Sequence, residues 1–191
     1  MKGSKLHLYT GLIHYPVYNR NSQKIASSIT TLDIHDLARL ARTYSVESVF
    51  IVTPLEDQQE IAAQVVKHWL TGYGASYNED RKKAIDLVAI VPSLEEVVAA
   101  VKRNEGQAPL VIATDAREQE KRYLSYSDAR RIIEEDRVVL LLFGTAWGLH
   151  DELLETVDYV LAPIPGRNGY NHLSVRAAAA IIMDRLAGRG L

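Results

Sequence analysis

Short, unbroken apolar runs alternate along this chain with segments whose apolar residues recur at helical spacing. Runs such as SVFIVTP at 48–54, IDLVAIV at 85–91 and RVVLLLFG at 137–144 have the length of strands, and the segment 56–70 carries one apolar helical face. Strands of a parallel sheet have such unbroken apolar sequences because helices bury both of their faces. The sequence therefore predicts an α/β fold, with a mostly parallel sheet and helices on both faces.

The bulk properties predict a single domain and exclude several kinds of chemistry. A chain of 191 residues that is 47% hydrophobic can bury a substantial core, and no repeat or linker divides residues 1–191. The absence of cysteine excludes disulfides and thiolate chemistry and fits a cytoplasmic protein. No run is long or apolar enough for a signal peptide or a membrane span. The net charge of −2 means that nucleic-acid binding would need a local basic patch.

Local signals also predict where several elements begin and end. We expect the first strand at 6–13, a long polar loop at 14–32, and an irregular loop at 71–84. Asp33 is predicted to cap the next helix, with Asp36 in its first turn, and Ser93 to cap a helix at 94–103. Asn171 and Ser174 are predicted to cap the final, alanine-rich helix.

Three loops that follow apolar runs predict a ligand site. They are ATDAR after residue 112, FGTAWGL at 143–149 and PIPGRNGYNHL at 163–173. In open parallel sheets, ligands bind beyond the carboxyl ends of the strands. Glycine lets a ligand approach the backbone closely, and proline stiffens a loop and leaves carbonyls free to accept hydrogen bonds. One such loop is commonly structural, but three at one sheet edge favour a preformed cradle for an adenosine.

The same loops resemble those of a known family. The segments LLFGTAWGL and VLAPIPGRNGYNHLSVRAAAAIIMDRL resemble the last two motifs of the SPOUT superfamily of RNA methyltransferases. The stretches HYPVYNR, SSITTLDIHDLAR and FIVTP are similar to a bacterial SPOUT family related to the tRNA guanine-N1 methyltransferases. The resemblance implies a deep trefoil knot near the C-terminus, S-adenosylmethionine (SAM) as the cofactor, a homodimer, and methyl transfer to RNA, either tRNA or rRNA.

The resemblance also implies which residues contact the cofactor. They lie in the three loops and are Ala113, Thr114, Phe143, Gly144, Leu161, Ile164, Gly166, Tyr170, His172, Leu173 and Ser174. The branch that methylates ribose 2′-oxygens has a Glu in the second motif, which FGTAWGL lacks, and an Asn where this chain has His172. A base nitrogen is therefore favoured over the ribose 2′-hydroxyl as the methyl acceptor.

Arg20 is the catalytic candidate, because its loop is similar in position to the SPOUT loop that supplies a catalytic arginine. It would orient a phosphate or the target base; a solvated loop arginine is the alternative. Arg117, Lys121 and Arg122 are candidates for RNA-phosphate contacts, and Trp147 for base stacking or for packing. The histidines have no metal-ligand spacing, so no metal is predicted.

Two functional hypotheses remain open at this point. The first is a SAM-dependent RNA methyltransferase. The second is a non-catalytic dimer that binds RNA or a nucleotide and retains the SAM cradle, which the missing Glu and the mild acidity favour. An enzyme of the Rossmann type is disfavoured, because HYPVYNRN after the first strand contains no glycine-rich turn.

Overall fold

The computed structural model of this chain describes residues 6–119 and 122–189, and within them the chain forms nine strands and eight helices. The strands are β1 (Leu8–Ile13), β2 (Val17–Tyr18), β3 (Lys24–Ile25), β4 (Ser48–Val52), β5 (Val88–Val91), β6 (Leu110–Thr114), β7 (Tyr123–Leu124), β8 (Val139–Gly144) and β9 (Tyr159–Leu161). The helices are α1 (Thr31–Thr43), α2 (Glu56–Leu70), α3 (Tyr73–Tyr77), α4 (Glu79–Ile85), α5 (Leu94–Glu105), α6 (Tyr126–Glu134), α7 (Asp151–Leu154) and α8 (Val175–Ala187).

Seven strands form one sheet, in the order β5-β4-β1-β8-β6-β9-β7. Every pairing in this sheet is parallel, and the interior strand β1 aligns Leu12 with Ile51 of β4 and with Phe143 of β8. The parallel arrangement brings all the carboxyl ends to one edge. The prediction of an α/β fold with a parallel sheet is confirmed.

Helices cover both faces of the sheet. Leu8 and Leu12 of β1 belong to a core that includes side chains of α1, α2, α4, α6 and α8, whereas Tyr9 and Ile13 belong to a second core with α5 and α7. Successive residues of a strand point to opposite faces, so one apolar run supplies both cores. That is the physical reason why the strands read as unbroken apolar segments.

Two of the expected helix caps differ in the structure. Thr30, not Asp33, caps α1: the Asp33 backbone N–H donates to Thr30 Oγ1 at 3.2 Å, and Thr30 Oγ1 donates back to Asp33 Oδ2 at 2.7 Å. This reciprocal pair starts the helix three residues earlier and moves the Asp33 carboxylate into its first turn. Ser174 caps α8 as predicted, whereas the Asn171 amide donates to the Ala116 carbonyl at 3.0 Å.

Other segments were predicted less well. The expected irregular loop at 71–84 contains α3 and most of α4, and the Asn78 side chain caps α4 through the backbone N–H of Arg81. The expected polar loop at 14–32 contains the antiparallel hairpin of β2 and β3. Its turn closes because Asn19 Oδ1 accepts from the backbone N–H groups of two residues that follow, a local bond typical of asparagine. No helix in the described residues is both long enough and apolar enough to cross a membrane.

Candidate active site

A cavity of about 680 Å³ opens at the carboxyl ends of β6, β8 and β9. One side, which we call the loop wall, consists of residues 114–117, 144–148, 162–164 and 171–174. The other side, which we call the N-terminal wall, consists of Ser27, Ser28, Thr30 and Asp33. The cavity therefore lies where the three unusual loops of the sequence meet, and it also recruits a segment far away in the chain.

The loop wall contains glycine and other small residues beside several large side chains. A Cβ atom at Gly144 would lie 2.8 Å from the backbone nitrogen of Leu149, so this position accommodates only glycine without movement. Gly148 has a φ of +98°, which a residue with a side chain rarely adopts. Thr114 Oγ1 donates to the Leu142 carbonyl at 2.9 Å and ties the first loop to the second strand end. The wall is thus suited to contact a ligand through main-chain atoms.

Seven of the eleven predicted cofactor residues line this cavity: Thr114, Phe143, Gly144, Ile164, His172, Leu173 and Ser174. Ala113 and Leu161 are buried in the two cores beneath it, and Gly166 and Tyr170 lie outside its lining on the exposed side of the last loop. A Cβ atom at Gly166 would collide with the Tyr170 carbonyl. Gly166 therefore sets the path of this loop.

Arg20 lies at the tip of the β2–β3 hairpin and is exposed. It forms no hydrogen bond or ion pair within the described residues, and it is outside the lining of the cavity. The hairpin itself is bonded to the loop wall: the Tyr18 N–H donates to the Gly148 carbonyl at 2.9 Å, and the Trp147 N–H donates to the Tyr18 carbonyl at 3.0 Å. The structure thus places Arg20 on an element that is attached to the cavity.

The mouth of the cavity carries one arginine held by two carboxylates. Arg117 Nη2 lies 2.8 Å from Asp115, whose side chain is 3% exposed, and 3.2 Å from Asp151. The hydrogen bond that Arg117 donates to Asp115 is the main cause of a raised pKa for Arg117, although burial opposes it. The guanidinium also covers the Tyr18 ring at 5.5 Å. Arg117 is therefore a neutralised part of the rim.

Of the other residues predicted to contact RNA, one is bonded within the chain and one is free to stack on a base. Arg122 donates to the Val157 carbonyl, so that bond fixes the chain before β7. Lys121 lies outside the described residues. Trp147 lines the cavity with 55% of its surface exposed, which leaves its ring available for stacking.

Asp33 is the site residue that the sequence reasoning missed. Its side chain lines the cavity although the residue is only 9% exposed. One oxygen, Oδ2, accepts from Thr30, and the other, Oδ1, lies 3.6 Å from Arg176 Nε and accepts no hydrogen bond within the described residues. A T-x-x-D pattern in the sequence signals such a first-turn carboxylate, but not that it faces a cavity.

A buried histidine stands behind the N-terminal wall. His14 is fully buried, and its Nδ1 lies 3.0 Å from Ser27 Oγ. Burial lowers the pKa of His14 to about 4, although the charge of Asp33 opposes this. The ring is therefore neutral at pH 7. Its Nε2 atom is buried and has no hydrogen-bond partner in the described residues.

The fold and this cavity define a class of protein: an α/β protein with a small-molecule cavity at the carboxyl edge of its parallel sheet. In the described ranges, no group of three or more His, Cys, Asp or Glu side chains is arranged so that it could hold a metal ion. The sequence of residues 7–188 matches the family described as "SAM-dependent RNA methyltransferase". The chain belongs to this family, and the predictions of the family and of its cofactor are confirmed.

Relatives of the chain support the assignment. It is 45% identical over 185 residues to a "tRNA (guanine-N(1)-)-methyltransferase" from Oleidesulfovibrio alaskensis, covering 97% of this chain and 43% of that one. A protein of the same name from Nitratidesulfovibrio vulgaris is 42% identical, covering 95% of this chain and 42% of that one. The chain thus spans less than half the length of these relatives. A probable methyltransferase structure from Bordetella pertussis has the same fold, with a TM-score of 0.66, 15% identity and 98% of each chain covered.

Proposed function

We propose that this chain transfers a methyl group from SAM to nitrogen N1 of a guanine in tRNA. The observation that carries the proposal is the cavity, whose lining combines the glycine-containing loops at the strand ends with a buried carboxylate. Family membership supports the cofactor and the RNA substrate. The names of the two tRNA methyltransferase relatives support guanine N1.

The residues of the loop wall fit the cofactor. A cavity of about 680 Å³ is within the usual range for small-molecule sites, and the glycine-only position at Gly144 lets the turn at 144–149 fold tightly at the edge of the cavity. Thr114, Ile164 and the backbone of residues 172–174 would hold it. When bound, the cofactor supplies an already activated methyl group, so the protein needs only to align the acceptor and remove one proton.

Asp33 is placed to accept that proton. Guanine N1 carries a hydrogen, which leaves as the new bond between N1 and the methyl carbon forms. A carboxylate oxygen without a hydrogen-bond donor, inside a cavity, is a suitable proton acceptor, and Asp33 Oδ1 meets this description. Thr30 and Arg176 hold the carboxylate in place. Arg20, on the hairpin beside the cavity, would contact an RNA phosphate and orient the target nucleotide.

Several features of the resemblance also enter the proposal. We propose that the C-terminal segment is threaded as a trefoil knot; the bond from Asn171 to Ala116 supports this, since it packs residues 162–174 across an earlier loop. We propose a homodimer through α8 and α1, where Leu32 is 60% exposed and every alanine of α8 except Ala179 is half-buried. Residues 1–191 would act as one domain, in the cytoplasm, where tRNA is available.

Three measurements test these proposals. Isothermal titration should show that S-adenosylhomocysteine binds, and no binding at high micromolar ligand would remove the basis of the proposal. Labelled SAM should transfer its methyl group to tRNA from a deletion strain, and nucleoside mass spectrometry should identify 1-methylguanosine; binding without transfer would instead support a non-catalytic binder. Sedimentation should show a species of twice 21.3 kDa.

A further inference from the structure

A chain of three hydrogen bonds runs from the buried His14 through Ser27 of the N-terminal wall and Thr145 of the loop wall to the Ile13 carbonyl. His14 Nδ1 lies 3.0 Å from Ser27 Oγ, Ser27 Oγ lies 2.6 Å from Thr145 Oγ1, and Thr145 Oγ1 donates to the Ile13 carbonyl at 2.9 Å. Ser27 and Thr145 both line the cavity. The proposed reaction assigns no role to this chain of bonds.

The direction of each bond follows from counting protons. Thr145 has one hydroxyl hydrogen, and the Ile13 carbonyl takes it. Ser27 must therefore donate to Thr145, and its own single hydrogen is then used. The bond between Ser27 and His14 consequently requires His14 Nδ1 to be the donor. The unpartnered Nε2 is then a bare acceptor, which is tolerated in a protein interior better than an unpartnered N–H group.

Ser27 is therefore an acceptor toward the cavity. A hydroxyl oxygen has two lone pairs, of which His14 uses one, and its hydrogen is directed at Thr145. A ligand group that meets this oxygen must bring its own hydrogen. The backbone is fixed as well, because the Ser27 N–H donates to the His14 carbonyl at 2.8 Å and the His14 N–H donates to the Val52 carbonyl at 2.9 Å.

We infer that Ser27, held as an acceptor by His14 and Thr145, recognises the exocyclic amino group of the target guanine. The inference rests on the proposed function. The amino group is attached to C2, next to N1, and is a hydrogen donor on the edge of the base that presents N1 to Asp33. Asp33 and Ser27 lie on the same wall, and Asp33 is close enough to His14 for its charge to act on the ring. Ser27 is thus a specificity residue, and His14 positions it.

Inosine tests this directly, because hypoxanthine keeps N1–H and lacks the amino group. Mass spectrometry first locates the guanosine that the wild-type enzyme methylates, and a tRNA with inosine at that position is then compared. We expect kcat/KM to favour guanosine about tenfold in the wild type, the usual scale for one hydrogen bond. In Ser27→Ala the two substrates should become equal. Ser28→Ala is the control: it removes a neighbouring hydroxyl that is not bonded to the His14 ring, and it should keep the preference for guanosine over inosine.

Variants at His14 separate a positioning role from a merely structural one. His14→Asn retains an N–H donor near the position of Nδ1 and should keep most of the preference, whereas His14→Leu should lose it. The second variant removes a buried polar ring and could unfold the chain. Nitrogen NMR shifts of the wild-type ring give an independent result: Nδ1 should be protonated and Nε2 bare. A protonated Nε2 would overturn the inference without any RNA.

The outcomes distinguish this inference from the function on which it rests. An active wild type in which Ser27→Ala keeps the guanosine preference overturns the inference alone. Loss of S-adenosylhomocysteine affinity in Ser27→Ala, with the preference retained, also overturns it and assigns the oxygen to the ammonium group of the cofactor. No transfer to guanine N1 by the wild type contradicts the proposed function, and the amino-group assignment fails with it.

Discussion

The two walls of the cavity differ in how they contact a ligand. The loop wall offers backbone groups at strand ends, with glycine at Gly144 and Gly148 where a side chain would obstruct or strain the loop. The N-terminal wall offers three hydroxyls and the carboxylate of Asp33. Main-chain groups suit a cofactor that is the same in every turnover, whereas side chains supply proton transfer and selectivity. Substitutions in one wall should therefore change cofactor affinity, and substitutions in the other should change turnover.

The two walls also depend on different structural features that are unfavourable to folding. The loop wall depends on unusual backbone conformations, which local packing maintains. The N-terminal wall depends on buried polar groups: His14 is neutral in the core, and the Asp33 side chain lies in a nearly closed environment beside Arg176. Burial of such groups is tolerated only when hydrogen bonds satisfy them. The β2–β3 hairpin connects the two walls: it follows His14 in the chain, and its Tyr18 N–H donates a hydrogen bond to the Gly148 carbonyl in the loop wall.

The largest expected effect is that of Asp33→Asn, which removes the proposed proton acceptor and keeps the shape of the side chain. We expect kcat to fall by about 10²- to 10⁴-fold, the usual contribution of a general base. The affinity for S-adenosylhomocysteine, measured by calorimetry, should change little because the loop wall is intact. Asp36→Asn is the matched control: Asp36 also lies near Arg176 Nε, at 3.7 Å, but outside the cavity. Equal activity of the two variants would exclude Asp33 as the base.

The sequence predicted the loop wall better than the N-terminal wall, for a physical reason. Glycine, proline and apolar runs act locally, so the strands β1, β4, β5 and β8, the helix α2, the cap at Ser93 and the three loops could be predicted from short segments. Asp33 and Ser27 gain their roles only from tertiary contacts with Arg176, His14 and Thr145. In the sequence, Asp33 has the signature of a helix start, which it is, and nothing in its neighbours reveals a cavity.

The second prediction concerns the stability that the buried His14 makes dependent on pH. The pKa of His14 is 6.5 in a model peptide and about 4 in the folded chain, so the unfolded state binds this proton first. The free energy of unfolding therefore has its full value above pH 6.5. It falls by up to about 3 kcal/mol as the pH drops from 6.5 toward 4, because the unfolded state gains the proton that the folded state excludes. Urea unfolding of the wild type and of His14→Asn should diverge across this range. Parallel pH profiles would show that the ring is not held neutral by the fold.

Gly166→Val tests whether the last loop forms part of the cofactor site through its path. The added Cβ would collide with the Tyr170 carbonyl, so the loop must move and carry residues 171–174 with it. We expect a loss of S-adenosylhomocysteine affinity equivalent to about 2 kcal/mol, within the range for overpacked sites. Gly169→Asn is the control, because its surroundings are open and asparagine tolerates its φ of +75°. Unchanged affinity in a folded Gly166→Val protein would place the cofactor away from this loop.

The smallest effect is expected for Arg20→Ala, which concerns the element that joins the two walls. Arg20 is exposed and has no bond within the described residues, so the free energy of unfolding should change by less than about 0.5 kcal/mol. If it contacts an RNA phosphate, kcat/KM should fall about tenfold and its salt dependence should become shallower, with cofactor affinity unchanged. Arg42→Ala, in the last turn of α1, is the control for a solvated arginine. A result equal to that control would leave Arg20 as a solvated side chain, and an effect on kcat with an unchanged salt slope would instead mean that it contacts the target base.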